Sequence, residues 1–440
     1  MRNERAVPAN GAGTPAKKGT HGGEALRRDA ERIVMAAIDE CLPEPAVRRA
    51  LAGRDFPGKI VLVSVGKAAW RMADAAVECL GDRIERGVVV TKYDHSRGPI
   101  RDFRIIEAGH PVPDENSLRG AEAALDAVNG LTERDTVLFL VSGGGSALFE
   151  RPLPGVGLAD VENITRKLLE SGADIREINT LRKRLSSVKA GRFALAAGPA
   201  RVLTLALSDV LGDRMDTIAS GPTVPDETTS GEAMRILGKY GISVSDSIRE
   251  RLSMETPKEL PTSECVMVGS VRMLCEHAAA KARELGYAVA VLTTSLNCEA
   301  REAGRFLASI AREEMSRDQP LARPCALIAG GETVVRVTGK GLGGRNQELA
   351  LSAACALEDV TGVVLLSVGS DGSDGPTDAA GGFADGGTTA RIRAAGGSPE
   401  DLLGDNDSRR ALEYAGDLVK TGPTGTNVND IALVLCGGPE

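Results

Sequence analysis

Hydrophobic residues along this chain come in two alternating patterns, short unbroken runs and longer stretches where they recur every third or fourth position. Lys59–Val65 (KIVLVSV) reads as a buried strand and Gly66–Leu80 as the helix that follows it. Gly87–Thr91 gives the next strand, Asn116–Val128 a helix, and Thr136–Val141 and Arg201–Leu207 two further strands. From Thr228 to Ser263 the pattern turns polar and helical, punctuated by Pro257 and Pro261. A second alternating set then follows: strand CVMVGS, helix Val271–Leu285, strand AVAVLTT, helix Glu299–Met315, strands ALIAG and TVVRVT, helix Asn346–Leu357, strand GVVLLSVG and a last strand at Asp430–Gly437. Alternation of this kind defines α/β architecture, and continuous Val/Ile/Leu runs suit parallel strands covered on both faces.

The expected organisation is two doubly wound α/β lobes with a cleft between them. Residues 1–23 are expected to be a polar, disordered tail, and 24–257 and 258–440 the two domains, with the boundary near Lys258. At 440 residues the chain exceeds a single compact core. Aromatic residues are only 3%, so the cores are filled by Ala, Val, Leu and Ile. A net charge of −8 argues against a dedicated nucleic-acid binder. The eight cysteines show no metal-like spacing with the four histidines, which suggests reduced thiols and a cytoplasmic protein. No apolar run reaches membrane-spanning length. One basic run, Arg176–Arg192, has helical spacing. It reads as a charged helix face, with an anion-attracting wall beside an active site as the alternative.

Candidate chemistry gathers where strands end. Lys67 follows a strand and a glycine at the start of a helix, where a cation opposes the macrodipole unless an anion is near. Ser142–Ser146 (SGGGS) offers three bare peptides flanked by two hydroxyls, a cradle for an anion or a tight corner. Asp209, just past an apolar strand, suits a general base, a metal ligand or a helix N-cap. Gly339, Gly341 and Gly344 match G-x-G-x-x-G, but Arg345 stands where a dinucleotide fold wants free amides. An arginine there suits a phosphoryl group better. Asp371, Asp374 and Asp378 crowd a glycine-rich turn, so a cation or a hydroxyl-rich ligand is a sensible partner, with solvated turn acids as the plainer reading. His110 sits in a turn-like segment and reads as a structural hydrogen-bonding residue rather than a catalyst.

The segments VGKAA, GHPVPD, SGGGSAL, INTLRKRLSSVKAGR, LSDVLGD, IASGPT, GGRNQE and GSDGSDGPTDAAG occur in an order that resembles the type II glycerate kinases, the MOFRL group. The likeness runs from about Ala25 to the C-terminus. It implies a larger, Rossmann-like N-terminal lobe, a smaller C-terminal lobe, and phosphorylation of D-glycerate by ATP with Mg²⁺, most often giving 2-phosphoglycerate. Carried over by position, the resemblance puts catalytic roles on Lys67, Arg345 and Asp209. Ser142, Gly143, Gly144, Gly145, Ser146 and His110 are then expected around substrate and phosphate. Gly341, Gly343, Asp371, Asp374 and Thr377 are expected around the nucleotide, with Asp371 and Asp374 as Mg²⁺ ligands. Expected partners are small molecules, with no nucleic acid, no membrane, and a homodimer as one option for assembly. Two other functions stay open: an NAD(P)H-dependent hydroxypyruvate reductase, motivated by Gly339–Gly344, and a non-catalytic binder of sugar acids or nucleotides.

Overall fold

A computed structural model describes residues 23–260 and 262–438. The tail expected at 1–23 lies outside the described residues except for Gly23, which opens the helix Gly23–Glu40. The strands, in chain order, are β1 (Ile60–Val65), β2 (Ile84–Lys92), β3 (Arg104–Ala108), β4 (Thr136–Val141), β5 (Arg201–Leu207), β6 (Ser263–Gly269), β7 (Ala288–Leu296), β8 (Cys325–Gly331), β9 (Val363–Gly369), β10 (Gly381–Asp385), β11 (Leu418–Val419) and β12 (Asp430–Cys436). No helix among the described residues is long and apolar enough to cross a membrane. All eight cysteines are free.

The first sheet has the order β3-β2-β1-β4-β5-β6 and is parallel throughout. β1 and β4 are central and every residue in them is buried, which is why they read as unbroken apolar runs. The chain winds outward from β1 to β3, then returns to the other side of β1 to lay down β4. That reversal opens a crevice beyond the carboxyl ends of β1 and β4, where ligands of such sheets bind. Gly66–Lys67 and Ser142–Ser146 are the residues that follow those two ends.

The boundary expected at Lys258 falls one strand too early. β6 pairs with β5 and belongs to the first sheet; the crossing comes at Ser270, and the helix Val271–Glu284 packs on the second sheet. The N-terminal helix Gly23–Glu40 also joins the second lobe, where Arg27 pairs with Asp385 and Asp417 and Asp29 accepts from Tyr287. Both helices are amphipathic, and a pattern read locally cannot say which sheet covers an apolar face. One continuous apolar cluster therefore runs from Leu62 and Leu205 through Ile33 and Leu274 to Ile328 and Leu433, tying the lobes together.

The second sheet has the order β11-β10-β9-β12-β8-β7. Only β7 and β8 are parallel; β12 lies antiparallel between β8 and β9, and β10 is antiparallel to β9 and β11. Burial on both faces makes a strand apolar whatever its direction, so the runs did not reveal this. TVVRVT is not a strand: it makes a single bridge, Glu299 to Val334, and Val337 is 74% exposed. Its alternation has no neighbouring strand to pair with.

Candidate active site

The first-lobe half of the site is a knot between two strand-end loops. Gly66 has φ 123°, and a Cβ there would strike Ser142. The Lys67 amide donates to Gly143 O at 2.9 Å and the Ala68 amide to Ser142 Oγ at 3.0 Å. The helix begins only at Ala69, so Lys67 precedes it rather than standing in its first turn. Its ammonium makes no hydrogen bond or ion pair among the described residues, leaving the charge free for an anion.

Gly144, at φ 88°, is the point where the loop touches its neighbours. A Cβ there would lie 3.1 Å from the His110 ring and 3.3 Å from Lys67 Cγ. Burial, then the charges of Lys67, Lys92 and His95, push the His110 imidazolium below its usual range. A neutral ring beside an unpaired lysine can donate or accept a hydrogen bond without adding charge. The two serines serve the loop itself: Ser142 Oγ takes the Ala68 amide, and Ser146 Oγ lies 2.8 Å from Ser220 Oγ.

No helix starts directly after β5, the next helical turn being Ile218–Ser220, so the N-cap reading of Asp209 fails. Its half-buried carboxylate accepts no hydrogen bond among the described residues, and a Cβ on Gly143 would come within 2.7 Å of Oδ2. Only glycine lets loop and carboxylate approach this closely. An unengaged base and an unpaired lysine thus flank the same loop.

The second-lobe half is built differently. Because β12 runs antiparallel to both neighbours, its first residue, Asp430, lies opposite the last residues of β8 and β9, Gly331 and Gly369. Arg345, first residue of the helix Arg345–Ala356, reaches across to it: Nε donates to Oδ2 at 2.5 Å and Nη2 to Oδ1 at 3.1 Å. Nη1 donates to Glu332 Oε1 at 2.8 Å. Burial works against the guanidinium charge, but the Asp430 fork outweighs it and raises the arginine further. Burial pushes Asp430 up to about 6, against the pull of Arg345. Neither Asp430 nor Glu332 was singled out from sequence; the only signal was an aspartate opening an otherwise apolar strand.

The acidic turn splits into different jobs. Asp374 is buried, with Oδ1 accepting from the Asn346 amide and Oδ2 from the Gln347 amide and side chain. It anchors the start of the arginine helix and has no oxygen left for a metal. Thr377 Oγ1 is likewise spent, donating to Asp374 O and accepting from Gln347. Asp371 differs: Oδ1 accepts from Ser373, and Oδ2 is unengaged among the described residues. Among the described residues no group of three His, Cys, Asp or Glu side chains is arranged to hold a metal.

The glycines of the G-x-G-x-x-G match face the protein. A Cβ on Gly339, Gly341 or Gly343 would collide with the 405–408 loop, and one on Gly344 with Asp374. The Thr338 and Gly339 amides donate to Asn406 Oδ1 at 2.8 and 2.9 Å. These amides are therefore not available to a pyrophosphate. Gly341 and Gly343 nevertheless line an 870 Å³ cavity with Glu332, Arg345 and Asp371, and Leu211 of the first lobe also lines it. Leu211 is two residues beyond Asp209, so this turn joins the two halves.

The fold is that of a two-lobed α/β protein with an unpaired lysine and an unengaged aspartate after strands of the first sheet and a carboxylate-held arginine at a helix start in the second lobe. Residues 29–253 match the family described as a domain of unknown function, DUF4147, and residues 325–430 the MOFRL family. A relative from Thermotoga maritima named D-glycerate 2-kinase is 55% identical over 94% of this chain and 99% of its own length. The crystal structure of a Thermotoga maritima glycerate kinase superposes with a TM-score of 0.91, covering 94% of this chain and all of that one. A relative from Agrobacterium vitis, 42% identical over 93% of this chain and 94% of its own, carries a provisional hydroxypyruvate reductase name. The chain belongs to the MOFRL family of glycerate kinases.

Proposed function

We propose that this protein transfers the γ-phosphoryl group of ATP to the 2-hydroxyl of D-glycerate, giving 2-phosphoglycerate and ADP. The observation that carries this reading is the meeting of an unpaired lysine, Lys67, and an unengaged carboxylate, Asp209, at one glycine loop. Phosphoryl transfer asks for positioning and for positive charge around the moving group more than for a covalent nucleophile. Asp209 accepts the proton of the attacking hydroxyl while Lys67 offsets charge on the transferring oxygens. Arg345 supplies the second cation from the facing lobe. Its contact to the half-exposed Glu332 is the exchangeable one, while the Asp430 fork fixes its plane.

The 870 Å³ cavity beside Gly341 and Gly343 has room for a nucleotide. Asp371 fits a Mg²⁺ held mainly through phosphates, since that ion often takes only one or two protein carboxylates. When bound, the ion neutralises phosphate oxygens. Asp374, with both oxygens engaged, does not fit that role. The reductase reading loses its motivation because two of its three glycines serve close packing against the 405–408 loop and the third, Gly344, against Asp374. The deciding experiment compares turnover of D-glycerate with ATP against turnover of hydroxypyruvate with NADH. ADP formation without NADH oxidation is expected, and the reverse would refute the proposal.

A further inference from the structure

The basic run after the glycine loop is not a solvated helix face. Lys183 pairs with Asp216 and Asp226 at 3.2 and 3.3 Å, Arg184 with Asp226 and Glu255 at 3.4 and 3.2 Å, and Lys189 with Glu150 at 2.6 Å. All three cations are buried. Two cations break the pattern, with no described carboxylate within ion-pair distance: Arg192, whose Nη1 donates to Lys183 O and Ser186 O, and Arg182, on the last turn of the helix Ile175–Leu185. Arg182 Nη2 donates to Ser146 O at 3.0 Å, and its Nε, like that of the ion-paired Arg184, is buried without an acceptor. A guanidinium left with a buried, unused donor and no counter-ion is a standing cost to the fold unless a ligand completes it.

The place is informative as well. Ser146 ends the loop whose Gly144 touches Lys67 and His110. Behind it, Ala219 and Ser220 hold left-handed backbones at φ 50° and 62°, and Ala219 Cβ would lie 2.7 Å from a Cβ on Gly145. Strain of this kind in non-glycine residues is retained where surrounding structure enforces it, often beside a ligand. Lys189 also donates to Ser146 O, at 2.9 Å, but its Glu150 partner and full burial keep it from any ligand. Arg182 is half-buried, so it alone of these cations can both brace the loop and meet a bound molecule.

We infer that Arg182 binds the carboxylate of the acceptor substrate beside the glycine loop, leaving Lys67 for the transferring phosphoryl group. This rests on the acceptor being a 2-hydroxy acid, as proposed above. A planar guanidinium matches the two oxygens of a carboxylate, whereas an ammonium acts as a point charge.

The test measures KM for D-glycerate, KM for ATP, kcat and calorimetric D-glycerate affinity in wild type, Arg182→Met and Arg182→Lys. Loss of a charge-assisted contact should raise KM and Kd for D-glycerate about 10–100-fold in Arg182→Met, with KM for ATP within about twofold. Arg182→Lys keeps a donor for Ser146 O and should retain the melting temperature while still weakening D-glycerate. If Arg182→Met does not fold, the lysine variant decides. An unchanged D-glycerate affinity would overturn the inference, as would a rise confined to KM for ATP. So would a fall in kcat alone, which would mean that Arg182 only braces the loop. Wild type that neither binds nor turns over D-glycerate would overturn the parent reading too, whereas active wild type with insensitive variants would overturn this inference alone.

Discussion

On the first lobe, Lys67 and Asp209 meet a glycine loop with neither charge paired, while on the second, Arg345 is gripped by Asp430 and Glu332 and Asp374 is buried against helix amides. The first half keeps its charges unspent and is held in shape by backbone bonds and by glycines that allow close approach. The second half spends its charges on one another and gains a fixed orientation. An enzyme that must stabilise a developing charge needs both, an open cation for the moving group and a pre-oriented one that does not reorganise. The contrast also says which residues carry stability as well as chemistry, and the two can be separated by experiment.

The largest effects should come from the two cations, and they should differ in kind. Lys67→Ala should lower turnover by about 10²–10³ with the melting temperature almost unmoved, because its ammonium has no partner to abandon. Arg345→Ala should lower turnover as far and also destabilise the fold. It strands Asp430 in a buried position at a cost of about 2–3 kcal/mol, below the value for a fully buried pair because the guanidinium is a third exposed. Steady-state kinetics and thermal melts on both variants check this. Equal melting temperatures would erase the distinction between the halves.

Asp209→Asn comes next. It keeps shape but removes the proton acceptor, so turnover should fall about 10²-fold, the low end for a general base, with no loss of stability. A fully active, stable variant would remove Asp209 from the chemistry.

A smaller effect is expected from pH. Asp430 is held up to about 6, above the ordinary carboxyl value near 3.9. A raised carboxyl takes up its proton in the folded state first. Its own contribution to stability therefore grows as pH falls from about 6 towards 4 and is lost as pH rises through 6. Protonation also releases the Arg345 fork, so kcat/KM should show an acid limb near pH 6 that Asp430→Asn abolishes. A limb that survives in the variant would not belong to Asp430.

Much of the frame was legible in the sequence for a simple reason. Strands β1, β4 and β5 are buried on both faces, so their apolar runs and the residues that follow them, Lys67, Ser142–Ser146 and Asp209, could be located by pattern alone. What pattern could not carry was direction and membership. Asp430 reaches Arg345 only because β12 runs antiparallel, and β6 joins the first sheet although it follows the polar stretch. The acidic turn misled for a related reason. A carboxylate whose oxygens are spent on a distant helix, as those of Asp374 are, looks in sequence like one with an oxygen left over, as Asp371 has. The isolation of Arg182 was invisible too, because its neighbours' partners lie up to about seventy residues away along the chain.

The central claim, that the cleft moves a phosphoryl group from ATP to C2 of D-glycerate, is tested most directly by proton-coupled phosphorus NMR of the product. A phosphate on C2 couples to one proton and gives a doublet; on C3 it couples to two and gives a triplet. The account predicts ADP and a single new doublet, formed by wild type and lost in Lys67→Ala. A triplet, or consumption of NADH with hydroxypyruvate and no phosphorylated product from ATP, would contradict it.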